Sequence, residues 1–388
     1  MEICSKEKCT GCGMCETICP KNAIELKPDA RGFLHPLIDQ EKCIQCNLCV
    51  QKCTENNPLL QISHKQKVYA AMNRNKLVRK NSTSGGIFSL LAQEIIRQGG
   101  LVFGIKWDNK FNTCYCCVDN TNDLDLLYGS KYIQCVPNKI YKKVKQVLNE
   151  GKTVLFSSTP CQVSALNNYL KKPYQRLYTV DLVCHGVPSY DIFEKHLKEI
   201  TDGNLDLVEK VSLRYKDPCW SYSSVKIDLK GRKNYLKLTM EDPFFNLFNF
   251  NYSLRESCHN CRYTTVERQG DITLSDFWGY VPKNFKTRDF DRGISCVLVN
   301  NEKGEDLFDK VKRSAIYEES NVDDAKRANK SLSKPFEAPC DVADFWNDYE
   351  KGISITELNA KYIVKPFVIP KFLWLRRIKR KYKWIFRR

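Results

Sequence analysis

The sequence predicts two folded parts: a small α+β unit built around clustered cysteines, then a larger α/β domain with a mixed sheet. A basic amphipathic helix follows at the C-terminal end. Three observations predict this. Cysteines crowd residues 1–57 in two runs of identical spacing. From residue 68 to about residue 184, strand-like and helix-like hydrophobic patterns alternate, which argues for layered α/β structure with some parallel pairing. Residues 371–388, "KFLWLRRIKRKYKWIFRR", hold nine Lys or Arg and no acid.

The bulk numbers agree with that plan. A chain of 388 residues is long for one core and favours two or three domains. A hydrophobic content of 42% with 28% charged residues is that of an ordinary globular protein. No run of 18 apolar residues occurs, so no spanning helix is expected. The start "MEICSKEKC" lacks the basic and apolar regions of a secretory leader, and a cytoplasmic protein is expected. Cytosolic thiols are held reduced, so twenty cysteines call for metal ligation or redox chemistry instead of disulfides. Of the net charge of +17, the nine basic residues of the tail account for more than half. No nucleic-acid partner is expected.

Taken in order, residues 1–60 form the cysteine-rich, ferredoxin-like unit, which closes with "TENNP" and a basic linker. Residues 66–150 open with the strand "VYAAM", the helix "SGGIFSLLAQEIIRQGG" and the strand "LVFGIKW". The helix has apolar residues at helical spacing, and Gly99–Gly100 stop it. A helix at "KIYKKVKQVLNEG" ends that part. Residues 151–315 continue with the strand "TVLFSS", the helix "CQVSALNNYLKK" and the strand "LYTVDLVC". Strands without helices between them follow ("VEKVSLRY", "SVKIDL", "YLKLT"), then the apolar helix "DPFFNLFNFNY". The strands "DITLSDFWG" and "ISCVLVN" and the surface helix "EKGEDLFDKVKR" complete it. Residues 316–370 are an extension and 371–388 the tail.

Cys9, Cys12, Cys15 and Cys19-Pro20 have the x2-x2-x3 spacing of a two-cluster ferredoxin run, and Cys43, Cys46, Cys49 and Cys53 repeat it. Three thiolates from one short turn reach three irons of one cubane, and the fourth crosses to the other cluster. By that logic Cys9, Cys12, Cys15 and Cys53 hold one 4Fe-4S cluster, and Cys43, Cys46, Cys49 and Cys19 hold the second. Structural zinc is the competing reading, but tetrahedral zinc favours cysteines in two pairs.

Five segments of the larger domain carry a resemblance: "STSGGIFSLLA", "GSKYIQ", "STPCQVSAL", "DLVCHGVPS" and "CHNCRY…GDITLSDFWG". In that order and spacing they resemble the beta subunit of coenzyme F-420 hydrogenase/dehydrogenase, most of all bacterial members with an N-terminal ferredoxin. The likeness spans about residues 68–300. It implies FAD, a 4Fe-4S cluster beside it, and electron transfer between cluster, flavin and a hydride-accepting small molecule. It implies the cofactors more firmly than the substrate, and nothing shows that F-420 itself is used.

Beside that resemblance, Ser84, Gly85 and Gly86 precede a helix, and their amides suit a flavin pyrophosphate. A plain helix cap is the alternative. Lys131 suits a phosphate or the flavin N1, or is a solvated lysine. Thr159 belongs to the same set of expected cofactor contacts. Cys161 and Cys184 end strands, where α/β proteins place ligands. With Cys258 and Cys261 they make four thiolates, enough for a third 4Fe-4S cluster or for zinc. His185 is an expected proton donor or a turn residue. Asp276 and Trp278 line the flavin or substrate pocket, or Trp278 is a core aromatic. Arg214, Lys216 and Trp220 match a family stretch in which Cys219 replaces the usual Gly. Cys114, Cys116 and Cys117 lack metal-site spacing, and Cys4, Cys135, Cys296 and Cys340 have no evident partner.

The tail places Leu375, Ile378, Tyr382 and Ile385 on one helical face with basic residues elsewhere, the composition of an interfacial helix on an anionic membrane. The expected protein is thus an iron–sulfur flavoprotein served by a ferredoxin or another one-electron donor or acceptor. It would be cytoplasmic and peripheral at the inner face of the membrane. The second expectation is a non-catalytic electron-transfer or membrane adaptor without flavin.

Overall fold

The computed structural model describes residues 2–59, 66–282 and 292–363. The tail helix expected at 371–388 lies outside the described residues. The cysteine-rich unit consists of α1 (Met14–Ile18), β1 (Ile24–Pro28), β2 (Leu34–Ile38) and α2 (Leu48–Gln51), with β1 and β2 paired antiparallel. Elements this short have little stability alone. Their core is Ile3, Ile24 and the side chains of Cys15, Cys49 and Cys53.

The larger domain begins with β3 (Lys67–Asn73), α3 (Lys76–Asn81) and α4 (Ile87–Arg97). Gly86, at φ 79°, starts α4, and Gly99, at φ 73°, follows its end, as a left-handed glycine commonly does. Ile87, Leu90, Leu91 and Ile95 form the buried face of α4, at helical spacing. The chain continues through β4 (Leu101–Trp107), β5 (Thr113–Val118), β6 (Cys135–Val136) and α5 (Ile140–Asn149). Next come β7 (Val154–Ser158), α6 (Pro160–Leu170), β8 (Leu177–Leu182) and α7 (Tyr190–Ile200). Pro160 sits at the first position of α6, where its missing N–H costs nothing.

Three antiparallel strands form a separate small sheet: β9 (Val208–Tyr215), β10 (Ser224–Leu229) and β11 (Tyr235–Leu238). After α8 (Pro243–Asn249) the chain returns to the main sheet with β12 (Ile272–Asp276) and β13 (Ser295–Val299). It ends through α9 (Glu302–Val311), β14 (Ala315–Ser320), α10 (Val322–Ala328), α11 (Val342–Glu350) and α12 (Ile355–Tyr362).

The main sheet has nine strands in the order β14-β3-β13-β12-β8-β7-β4-β5-β6. Strands β4, β7, β8 and β12 run parallel at its centre, and antiparallel partners flank them on both sides. The fold is therefore mixed α/β, as the sequence predicts. Strands from both sides of residue 150 share this one sheet, and β14, inside the expected extension, is its edge. One face of the sheet is covered by α4 and α9, the other by α5 and α6. A second core joins the small sheet to α7, α8, α11 and α12 around Phe193, Phe244 and Phe345. Among the described residues no helix is long and apolar enough to cross a membrane.

Candidate metal and redox centre

Two hollows mark the cysteine-rich unit. The outer one is lined by Cys43, Cys46, Cys49 and, from the other run, Cys19. The inner one is lined by Cys9, Cys12, Cys15 and, again from the other run, Cys53. The crossover expected from the spacing is thus the grouping that the fold brings about. Cys46 is exposed, whereas Cys9, Cys15 and Cys53 are buried.

The inner hollow lies on the side of the unit that packs on the larger domain. Met14 enters the core made by α5 and α6, and the Tyr141 hydroxyl donates to the Cys12 carbonyl at 2.6 Å. Arg255 is 2% exposed and binds Cys9, Leu34 and Gln134 there, with the His35 ring 3.3 Å away. Its Nε donates to the Cys9 carbonyl at 2.6 Å, one terminal nitrogen to the Leu34 carbonyl at 2.8 Å and the other to Gln134 Oε1 at 3.1 Å. Gln134 in turn accepts from the Leu34 amide at 3.2 Å. Neither Arg255 nor Gln134 stands out in the sequence. The one signal for Arg255 is a cation three residues before Cys258.

Behind this contact lie the other four cysteines. Cys161 is in the first turn of α6, after Thr159, whose hydroxyl is 3.3 Å from the Cys161 sulfur. Cys184 follows the end of β8, and Cys258 and Cys261 lie in and just after a single 3-10 turn, Glu256–Asn260. Backbone pairing brings these segments together: Pro188 bridges Leu254, and the Arg255 amide donates to the Val187 carbonyl at 2.9 Å. Gly186 makes the approach possible, since a Cβ there would stand 2.9 Å from Leu254 and 3.4 Å from the Cys258 Cβ. Asp181, fully buried on β8, accepts from the Gln269 and Gly270 amides at 3.0 and 3.2 Å and fixes the entry to β12. Arg268 ties that entry to the Tyr263 carbonyl at 2.8 Å.

Each of the four thiols feels others of the set. Burial, then Cys258, Cys161 and Cys261, push the Cys184 thiol well above its ordinary value. Burial raises Cys161 and Cys261 to about 12 and Cys258 to about 11, and neighbouring thiols add to each. Cys12, of the inner hollow, is among the charges that act on Cys161. Four thiolates close together need a compensating cation, and these four partly exposed cysteines are a donor set of the kind that holds a metal centre. Ser257 adds a buried hydroxyl with no partner among the described residues, directly beside Cys258. Also among the described residues, no three Cys, His, Asp or Glu side chains form a group able to hold a single ion.

The remaining expected residues fall at two places. At the C-terminal end of β12, Asp276 Oδ1 accepts from the Trp220 indole at 2.7 Å, and Oδ2 lies 3.4 Å from Arg214. Trp220 stacks on Trp278 with centroids 4.6 Å apart, and the Arg214 guanidinium lies 5.1 Å from the Trp278 ring. Arg214 also reaches the Tyr132 hydroxyl at 3.4 Å. Ser84 belongs to this neighbourhood, because its hydroxyl donates to the Ile294 carbonyl at 2.9 Å and its carbonyl accepts from Lys216 Nζ at 2.5 Å. Lys216 also donates to the Arg79 and Arg292 carbonyls, and burial lowers it to about 7. The Gly85 amide donates to Ser295 Oγ at 2.9 Å, so it is engaged within the protein. Gly86 offers the helix start of α4. Lys131 Nζ donates to the Leu126 and Tyr128 carbonyls at 3.1 and 2.9 Å, and burial lowers it to about 7.

His185 is elsewhere. Its Nε2 is 2.8 Å from Asn251 Oδ1, its ring lies 4.0 Å from that of Phe336, and burial lowers its pKa. Thr159, Cys184–His185 and Asp276–Trp278 nonetheless share one edge of the molecule, the C-terminal ends of the parallel strands β7, β8 and β12. Open α/β sheets bind their ligands there.

Cysteine runs of two-cluster spacing, packed against a mixed α/β domain, define the class as iron–sulfur electron transfer of the oxidoreductase type. Residues 8–57 match the 4Fe-4S dicluster domain. Residues 151–325 match the family formed by the C terminus of the coenzyme F420 hydrogenase/dehydrogenase beta subunit. The chain thus joins a segment similar to that family to a dicluster domain ahead of it. It is 23% identical over 364 residues to the uncharacterized protein MJ1349 of Methanocaldococcus jannaschii, covering 83% of this chain and 92% of that one. A solved structure, that of the F420-reducing [NiFe] hydrogenase complex from Methanosarcina barkeri, aligns at TM-score 0.48 and 16% identity. That alignment covers 72% of this chain and 91% of the other.

Proposed function

We propose that the protein is an iron–sulfur flavoprotein oxidoreductase that passes electrons between an outside one-electron carrier, such as a ferredoxin, and a small molecule that exchanges hydride. Cys43, Cys46, Cys49 and Cys19 hold the solvent-facing 4Fe-4S cluster. Cys9, Cys12, Cys15 and Cys53 hold the inner one. Cys161, Cys184, Cys258 and Cys261 hold a third behind it. The observation that carries this reading is the crossed grouping of the eight cysteines, Cys43, Cys46 and Cys49 with Cys19 around one hollow and Cys9, Cys12 and Cys15 with Cys53 around the other. The clusters would supply one-electron transfer, and FAD the conversion to a two-electron step.

This chain's residues prepare the flavin end. Gly86 opens α4 toward an anion, and Ser84 is held in place by Lys216. Lys131 and Thr159 are the further proposed flavin contacts, and Trp278, stacked on Trp220, supplies an aromatic wall. Asp276 holds Arg214 and the Trp220 indole in place and is the carboxylate proposed to handle a proton there. His185, locked between Asn251 and Phe336, is proposed as a support for the Cys184 turn.

Iron, zinc and flavin analysis of anaerobically purified protein tests the reading. About twelve irons and one FAD per chain are expected, on four irons per cluster. Eight irons, one zinc and no flavin would overturn it in favour of an adaptor without catalysis. Cys258→Ala should remove about four irons and leave the other eight in place. The basic tail is proposed to rest on anionic membrane. Deleting 371–388 should abolish flotation with anionic liposomes, and unchanged flotation would refute that part.

A further inference from the structure

Five thiols, one more than a cubane takes, line the inner hollow. Cys4 stands there with Cys9, Cys12, Cys15 and Cys53. Its thiol faces those of Cys53 and Cys9. The placement is built into the fold. Ile3 is 5% exposed in the small core beside Cys15 and Cys53. Asn56 Nδ2 donates to the Ile3 carbonyl at 2.8 Å and to the Val50 carbonyl at 3.1 Å. The segment carrying Cys4 is thereby pinned to the turn carrying Cys53. Among the described residues the outer hollow is lined by four thiols, one for each iron of a cubane.

We propose that Cys4 is a reserve ligand for the inner cluster, able to take over the iron of Cys53. The proposal rests on the reading that Cys9, Cys12, Cys15 and Cys53 hold that cluster. In the exchange, the Cys4 sulfur bonds to iron and releases its proton. The bond from iron to the Cys53 sulfur breaks, and the Cys53 thiolate takes up a proton. No electron is moved. Oxidation or loss of Cys53 then leaves the cluster closed by four sulfurs instead of opening it to solvent. On the proposed reading, electrons that enter at the outer cluster cross the inner one, which gives a spare thiol its use at this place.

The full-length protein, reconstituted anaerobically with iron and sulfide, gives the test through its iron content and the EPR signals of its reduced clusters. Cys53→Ala is expected to keep the wild-type iron content, and the double variant Cys4→Ala/Cys53→Ala to lose about four irons. The EPR signal of the outer cluster reports that the unit has folded. If Cys53→Ala alone loses as much iron as the double variant while that signal persists, the reserve role is overturned. If the alanine variant loses the outer signal as well, Cys53→Ser, nearer in size, carries the same comparison with and without Cys4. Cys12→Ala serves to separate the two readings, because it should lose about four irons with Cys4 present. If it keeps all its iron, the ligand assignment itself falls, and the reserve role with it.

Discussion

The two halves of the cysteine-rich unit share one spacing and differ in everything around it. In the first run, the two positions with left-handed backbone are Gly11 and Gly13, at φ 65° and 75°. In the second, the equivalent positions are Gln45 and Asn47, at φ 55° and 56°. The same turn winds around both hollows, so the backbone demand is common to them. The difference lies in what presses on the turn. A Cβ at Gly11 would meet Gln134 and the Leu34 carbonyl, and one at Gly13 would stand 2.6 Å from Pro137. The second run faces solvent, with Ile44 58% exposed, and has room for side chains. A symmetric unit has thus been made directional. One half is shaped for a neighbour within the chain, and the other is left facing solvent.

Arg255 is where breaking this asymmetry should cost most. It is buried and satisfies two carbonyls of the cysteine-rich unit together with Gln134 of the larger domain. Arg255→Leu leaves the two carbonyls unpaired, each at roughly 1–3 kcal/mol, while Gln134 keeps the Leu34 amide. A loss of about 4 kcal/mol in the stability of the docked unit is expected, measured by denaturant unfolding followed through the cluster absorbance. A change below about 1 kcal/mol would mean that the two parts are held by apolar packing around Met14 instead.

How far the sequence foretold this depends on how local each feature is. The eight ligand positions are legible because cluster spacing is a property of a few consecutive residues. The alternation through β8 is legible because hydrophobic period tracks burial directly. Beyond it, β14 is missing from the expectation, since an edge strand at 315–320 needs a partner, β3, some 240 residues earlier. Helix α7 is missing too, because its apolar positions are interrupted by charge in "YDIFEKHLKEI" and its cap, Ser189, is legible only by its bond to the Ile192 amide. The third cysteine set needed the family's ordering, because Cys161, Cys184 and Cys258 meet only after three chain segments pair. Arg255 and Gln134 could not be found, for a residue that joins two domains carries no period at all.

Gly13→Ala is the next largest effect and tests the directional half by itself. A non-glycine residue in the left-handed region costs about 1–2 kcal/mol. Crowding against the rigid Pro137 ring adds about 1–3 kcal/mol. A loss of about 3 kcal/mol is expected. Asn47→Ala, at the matched position of the solvent-facing half, should cost about 1 kcal/mol, from the backbone alone. Equal losses in the two variants would show that the turn, and not the contact with the larger domain, dictates glycine.

The smallest effect is the reverse substitution, Gln45→Gly. Glycine adopts the left-handed region freely, so the strain of about 1–2 kcal/mol at this position is relieved. Against this, the unfolded chain gains freedom worth about 0.5–1 kcal/mol. The two nearly offset, and stability should rise by no more than about 1 kcal/mol. Because Gln45 belongs to the solvent-facing turn, its side chain has a further use available that stability does not measure, namely contact with an incoming carrier. Stopped-flow reduction of the variant by a reduced ferredoxin separates the two. A slower bimolecular rate at unchanged stability would place the carrier on the Cys43–Cys49 turn. An unchanged rate would make Gln45 a strained residue tolerated only because nothing presses on it.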